Sequence, residues 1–410
     1  MKVLFVHQNF PAQFKHLAPA LLELGHDVQV LGINKNPIPA GIGVTYYKPL
    51  RSNAPKIHPW LLDMESKVIR AEAAFYAALK LRDSGFNPDV IIAHPGWGES
   101  WFLKDVWPNA RLGLYAELYY QISKSDIDFD AEFSKPHVAE ACRLRLKNAS
   151  HDLQFALADE LLSPTEFQRS TFPQHLQEKI TVIHDGVDTK HLQPNPDARL
   201  QLNNSLLLTK ENEIITFVNR NLEPMRGYHI FMRALPDILQ QRPHTRVIIV
   251  GGEDVSYGSK PPEGHTWKTL FLNEVREQLD MSRVHFVGKI AYHNFIKLLQ
   301  ISTVHVYLTY PFVLSWSLLE AMSVGCAIVA SDTSPVQEVI THNETGRLVD
   351  FFDTKNLAGQ VVNLLQNPTE RERLGMAARD YAIKHYDLQT VCLPAQLEWV
   401  SRLLNSSPMP

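Results

Sequence analysis

Tyr310 to Ser331, reading YPFVLSWSLLEAMSVGCAIVAS, decides the fold. An irregular loop leads into a helix that opens at Ser315-Trp316-Ser317. Gly325 supplies its stop, and the apolar run Cys326 to Ala330 reads as a buried strand. Loop, helix and buried strand in that order make one unit of a parallel α/β sheet. The helix start leaves backbone N–H groups unpaired at the positive end of its dipole, an arrangement suited to phosphate oxygens. Glu320, read on the first turn, can reach ribose hydroxyls, or it can close a capping box with Ser317 and serve only the backbone. Spacing leaves both readings open.

The same alternation runs outward in both directions. Toward the N-terminus, Val3 to Val6, Val28 to Leu31, Val90 to Ala93, Arg111 to Tyr115, Leu161 to Ser163 and Ile180 to Ile183 are short apolar runs, with helical spacing over Phe14 to Leu24. Asp188 to Glu213 is polar and bears prolines, as a linker does. Strand patterns resume at Ile214 to Val218, Arg246 to Val250, Val284 to Val287 and Val304 to Leu308, with helices over Tyr228 to Leu239 and Trp267 to Leu279. The expectation is an α/β fold of two Rossmann-like doubly wound domains facing a cleft. They span 1–190 and 214–386, joined by a linker at 191–213, and a C-terminal helix at about 387–410 completes the first.

Composition excludes several classes. The 410 residues carry a net charge of −4, which offers no global basic field for nucleic acid. Cys142, Cys326 and Cys392 lie far apart without metal-ligand spacing and read as thiols rather than ligands. No apolar run reaches the roughly 20 residues that span a bilayer, and MKVLFVHQNF lacks a signal-peptide pattern. A cytoplasmic protein is expected, with peripheral contact to the inner membrane face left open.

In doubly wound domains ligands bind at the carboxyl ends of the strands, so the loops there carry the chemistry. Asn219 to Gly227 follows the first strand of the second half and holds Arg220 and Arg226, two planar donor forks suited to a diphosphate, or else solvated surface arginines. His7, Gln8 and Asn9 follow the first strand of the chain. His94, Trp97 and Glu99 follow Val90 to Ala93 and offer acid–base groups beside an aromatic face. Glu117 follows Arg111 to Tyr115 among tyrosines. Asp126-Ile127-Asp128-Phe129-Asp130 has the spacing of a metal-binding DxD, but it sits in a polar insertion and reads as a solvated acidic loop. Lys67, Arg70, Lys80, Arg82, Arg143, Arg145 and Lys147 could make a basic face or simply solvate helices. No GxGxxG follows a strand, which disfavours a dehydrogenase.

These residues resemble family 4 glycosyltransferases of the GT-B fold. FVHQNFPAQFKHLAPALLELGHDVQVL is similar to that family's first strand–loop–helix–strand, IHDGVD to its segment before the linker, and NRNLEPMRGYHIF to its arginine–lysine motif. LLEAMSVGCAIVASD with PVQEVITHNETGRLV matches its donor-side signature. The resemblance implies a retaining hexosyltransferase, with a UDP- or GDP-sugar as donor substrate and no obligate metal or other cofactor. It implies Arg220 and Arg226 on the diphosphate, Gly288 and Ile290 framing the base, Ser315, Trp316 and Ser317 at phosphate and sugar, and Glu320 on the ribose. His7, Gln8, Asn9, Trp97 and Glu99 would face the acceptor (glycan, lipid-linked or small molecule), with Glu117 and His94 as candidate catalytic groups. Synthesis of polysaccharide, glycolipid or another glycoconjugate would follow. Where the family carries a first glutamate, eight residues before the ribose glutamate, this chain has Phe312. The rival readings are a nucleotide-sugar epimerase, a sugar phosphorylase, and a non-catalytic nucleotide or glycan-binding module.

Overall fold

The computed structural model describes residues 1–134, 138–203 and 206–405. The chain divides into two compact units. The first holds Met1–Ile122, Pro136–Gly186 and Gln389–Pro410, and the second holds Ser123–Lys135 and Val187–Leu388.

Seven parallel strands build the first sheet: β1 (Lys2–Val6), β2 (Asp27–Gly32), β3 (Gly43–Tyr46), β4 (Val90–Ala93), β5 (Arg111–Tyr115), β6 (Glu160–Ser163) and β7 (Ile180–Val182). Their order is β3-β2-β1-β4-β5-β6-β7. Along β1 the side chains alternate between two cores, Leu4 and Val6 into one and Val3 and Phe5 into the other. A strand buried on both faces cannot show polar alternation, which is why these runs are continuously apolar. The C-terminal helix Leu393–Asn405 lays Trp399, Val400 and Leu403 into the core shared by Val3, Phe5 and Val90. There Trp399 lies against β5 so closely that a Cβ on Gly113 would come within 2.5 Å of its ring.

In the second unit a hairpin, β8 (Arg199–Asn203) and β9 (Leu206–Thr209), precedes six parallel strands: β10 (Ile214–Asn221), β11 (Arg246–Gly252), β12 (Val284–Gly288), β13 (Val304–Tyr307), β14 (Ile328–Ser331) and β15 (Arg347–Val349). Their order, β12-β11-β10-β13-β14-β15, repeats the pattern of the first sheet. In each sheet the strand order reverses beside its first strand, between β1 and β4 and between β10 and β13, and crevices for ligands open at such switch points.

Some expectations change. The stretch read as a linker is not bare, because Leu200 and Leu208 of the hairpin are buried in the second unit's core. Phe14 to Leu24 is not one helix: a 3-10 turn at Ala12–Phe14 precedes a helix at Leu17–Glu23, so that Pro19, which has no N–H, falls in the first turn. Helices Leu62–Asp83 and Val138–Phe155, along with β3 and β15, carry weak periodicity or few residues and were not singled out by pattern. Among the described residues no helix is long and apolar enough to cross a membrane.

Candidate active site: loops at two switch points

In the first unit the loops after β1, β4 and β5 converge. His7 Nδ1 accepts the Asn9 N–H at 2.9 Å, so the ring proton sits on Nε2, which donates to Gln13 Oε1 at 3.1 Å. Gln13 Nε2 donates in turn to Glu117 Oε1 at 3.4 Å. His94 repeats the device: its Nδ1 accepts from Gly96 N–H at 3.1 Å, and its Nε2 lies 3.4 Å from Glu117 Oε2. Both histidine loops thus bring a nitrogen close to one carboxylate, Glu117, and Gln13 donates to it. Burial, then the neighbouring His94, lowers the His7 pKa to about 3, against the opposing bond to Gln13, which keeps this imidazole neutral.

Trp97 stacks on His94 at 4.6 Å and meets His7 edge-on at 4.9 Å. Glu99, expected to face an acceptor, is instead 1% exposed. Burial pushes its carboxyl above the usual range, with Tyr47, Arg70 and His94 pulling it partly back. The basic face also loses a member, because Lys67 is buried, paired with Asp63 at 2.9 Å and donating to Ser150 at 2.6 Å.

In the second unit β10 and β13 deliver the cluster. Arg226 is 6% exposed and donates from Nη1 to Thr309 Oγ1 at 2.8 Å and to the Val313 carbonyl at 3.1 Å. It is therefore not one of a pair of solvated surface arginines, whereas Arg220 is exposed. Both guanidiniums meet the ring of Tyr257, at 5.9 Å from Arg220 and 5.2 Å from Arg226. Phe312 covers Arg226 from 5.6 Å and packs against Tyr257 at 5.2 Å. Tyr257 itself is held by Glu223, whose Oε2 accepts the N–H groups of Ser256, Tyr257 and Gly258 at 3.2–3.3 Å. Gly227 makes the approach of the two loops possible: its φ is +68°, and a Cβ there would lie 2.3 Å from the Leu308 Cβ.

The helix is Trp316–Ser323, capped by Ser315, whose Oγ accepts the Ser317 N–H at 3.4 Å. Ser317 is therefore not the cap, and Glu320 lies beyond the first turn, so the capping-box reading is corrected. Glu320 is 8% exposed and accepts from the Tyr292 hydroxyl at 2.7 Å. Burial and the Glu320 carboxylate raise the Tyr292 pKa, which keeps that proton in place as the donor. Gly288, at φ +65°, ends β12, and Ile290 lies half-buried shortly before Tyr292. Tyr257, Glu223 and Tyr292 escaped sequence reasoning. Only their position just after strands could have suggested them.

The acidic insertion is not solvated as expected. Asp130 is buried, and its Oδ2 accepts from Tyr310 and His229. Asp130, Glu132 and His229 bring ligand-type atoms within 4.8 Å of one another, but Asp130 is committed to His229 and Tyr310, and Glu132 to Arg233 at 2.7 Å.

Two α/β units of the same strand order, one with an arginine pair at its switch point, have the architecture in which ligands bind at the carboxyl ends of the strands. Residues 24–192 match the family described as Glycosyl transferase family 4 group, and residues 199–381 match Glycosyl transferases group 1. The chain belongs to the family 4 (group 1) glycosyltransferases and is a glycosyltransferase of the retaining hexosyltransferase type that takes its sugar from a nucleotide sugar.

It is 24% identical to the glycogen synthase of Mycobacterium tuberculosis over 100% of this chain and 97% of that protein. Two other curated relatives align over 58% and 60% of their own length. Its fold is GT-B, as in sucrose-phosphate synthase from Thermosynechococcus elongatus (TM-score 0.75, 19% identity, covering 99% of this chain and 100% of that one). It is equally similar in kind to Anabaena HepE, solved with UDP and glucose (TM-score 0.68, 18% identity, covering 98% and 99%).

Proposed function

We propose that the second unit binds a nucleoside-diphosphate sugar at the loops after β10 and β13, and that the first unit presents an acceptor hydroxyl at Glu117. The observation that carries this reading is the convergence of Arg220, Arg226 and the capped start of the Trp316–Ser323 helix at one switch point. Arg220 and Arg226 then hold the diphosphate, with the N–H groups of the Ser315–Ser317 turn beside them. Gly288 and Ile290 frame the base, and Glu320, beside the Tyr292 hydroxyl, takes a ribose hydroxyl. As the bond to the anomeric carbon lengthens, negative charge grows on the leaving diphosphate, and these fixed donors stabilise it without reorganising. Glu117, oriented by His94 and Gln13, accepts a hydrogen bond from the acceptor hydroxyl and aligns it.

HepE's description names UDP, and a mannosyltransferase relative is described as GDP-mannose-dependent, so either base fits what the relatives bind. The acceptor is a glycan, a lipid-linked sugar or a small polyol, in glycoconjugate synthesis. A peripheral place at the inner membrane face would suit a lipid-linked acceptor.

Calorimetric titration of UDP and GDP with chelator present is the direct test. One nucleotide is expected to bind, and Arg220→Ala should weaken it about tenfold or more, the value of a charged hydrogen bond. Arg220 is exposed, so the fold is expected to survive the change. Failure of both nucleotides to bind the unaltered protein overturns the donor-site assignment.

Tyr292→Phe removes one oxygen from beside Glu320. A loss of about fivefold in nucleotide affinity is expected, from about 1 kcal/mol for the lost bond. Preference for UDP over 2′-deoxy-UDP should shrink by a similar factor, which comparison of the two ligands on both proteins will show.

A further inference from the structure

We propose that Asp130 is a positioning residue for the donor loop, acting through Tyr310 from a segment of chain whose two flanks belong to the other unit. This rests on the donor-site reading above.

Ser123–Lys135 belongs to the second unit although the chain before and after it belongs to the first. Apolar packing seats the segment: Phe129 lies 5.0 Å from the Tyr310 ring and 5.1 Å from Phe351, and Phe133 lies 5.3 Å from Trp267 and 5.0 Å from His229. Packing of that kind needs no buried charge. Yet Asp130, 2% exposed, sits between two polar partners, accepting from the Tyr310 hydroxyl at 2.6 Å and facing His229 Nε2 at 3.1 Å, while its Oδ1 accepts the Glu132 N–H at 3.0 Å. A carboxylate taken out of water is costly unless it is fully bonded, and this one is bonded on both oxygens. Burial opposes its ionisation, but the bonds from His229, Tyr310 and Glu132 hold its pKa below the usual carboxylate range.

What the charge supplies beyond burial is direction. Tyr310 lies one residue after Thr309 and three before Val313, the two residues to which Arg226 donates. Its own N–H donates to the carbonyl of Met225, next to Arg226, at 3.0 Å. Fixing the Tyr310 ring therefore fixes the loop that holds the buried guanidinium. Arg233 adds a second anchor, donating to Glu132 at 2.7 Å and to Glu274 at 2.8 Å. The segment begins shortly after Glu117 and Tyr120, so one stretch of chain carries both the acceptor-side carboxylate and the brace for the donor loop.

The test uses the full chain with Asp130→Asn, Asp130→Ala and Tyr310→Phe. Hydrogen exchange over 309–315 is followed without nucleotide, and UDP or GDP affinity is followed by calorimetry. Asp130→Ala and Tyr310→Phe are each expected to speed exchange of the loop and to weaken nucleotide binding by about tenfold. The double variant should be no worse than either single one, because the pair acts as a unit. Asp130→Asn keeps an oxygen that can accept from Tyr310 and should restore most of the affinity, which a purely structural loss would not predict. Tyr310→Phe removes one oxygen and leaves Asp130 facing His229, so the test survives if Asp130→Ala fails to fold. Unchanged loop exchange and unchanged affinity in Tyr310→Phe overturn the proposal. If the unaltered protein binds neither nucleotide, the donor reading falls by itself, and loop exchange still decides whether Asp130 positions the loop.

Discussion

Arg226→Ala is expected to abolish useful donor turnover, with a loss of about 10²–10³-fold, the range found when one donor to a developing anion is removed. The side chain has two tasks. Its Nη1 ties Thr309 to the Val313 carbonyl across the loop after β13, and its remaining donors are shaped to meet oxyanions in a fork. Alanine removes the charge from the site and leaves the loop untied beneath Phe312 and Tyr257. Arg226→Lys separates the two tasks, since lysine restores a point charge but no fork, and partial recovery of affinity without recovery of rate is the expected result. Steady-state donor hydrolysis and nucleotide titration on the three proteins measure both. Turnover within threefold of the unaltered enzyme in Arg226→Ala would remove this residue from the chemistry.

Trp399→Ala is expected to lower stability by about 3–5 kcal/mol, the cost of emptying a fully buried aromatic site. Trp399 is 0% exposed and fills the space beside Gly113, whose missing side chain lets the ring reach β5. Most of the first unit's second core, including Val3, Phe5 and Tyr115, packs with it. Denaturant unfolding followed by near-ultraviolet circular dichroism should show an early transition. If the second unit folds by itself, nucleotide binding will persist after that transition. A loss under 1 kcal/mol would mean that the helix Leu393–Asn405 is not part of the first unit's core. Substituting Gly113→Ala instead should produce a milder version of the same defect, because a Cβ there collides with the Trp399 ring.

How much of this was legible follows from the range of each interaction. The strands could be read because burial on both faces imposes a continuous apolar run on about four consecutive residues, as at Val3 to Val6 and Val247 to Val250. Arg226, His7 and His94 could be placed because a residue just past a strand inherits that strand's position, and Arg220 because it stands at the end of β10 itself. Glu320 was legible as a candidate but not in its role, since the capping box and the ligand contact share one spacing, and its partner Tyr292 lies 28 residues away. The acidic insertion was misread for a similar reason. Its sequence is rich in acidic residues, and nothing local tells that Asp130 will meet His229, 99 residues on, and Tyr310, 180 residues on.

By itself the sequence determined two doubly wound sheets, the loops that stand at their strand ends, and membership in a family that moves sugars from nucleotide donors. These are properties of neighbouring residues, set by strand and helix periods and by short spacings. The tertiary structure alone decided which groups meet at Glu117, that Tyr292 donates to Glu320, what ring lies beside the arginine pair, and why a buried aspartate belongs to the second unit. Each of those depends on side chains brought together by strand order, and a periodic pattern along the chain carries no record of its partners across it.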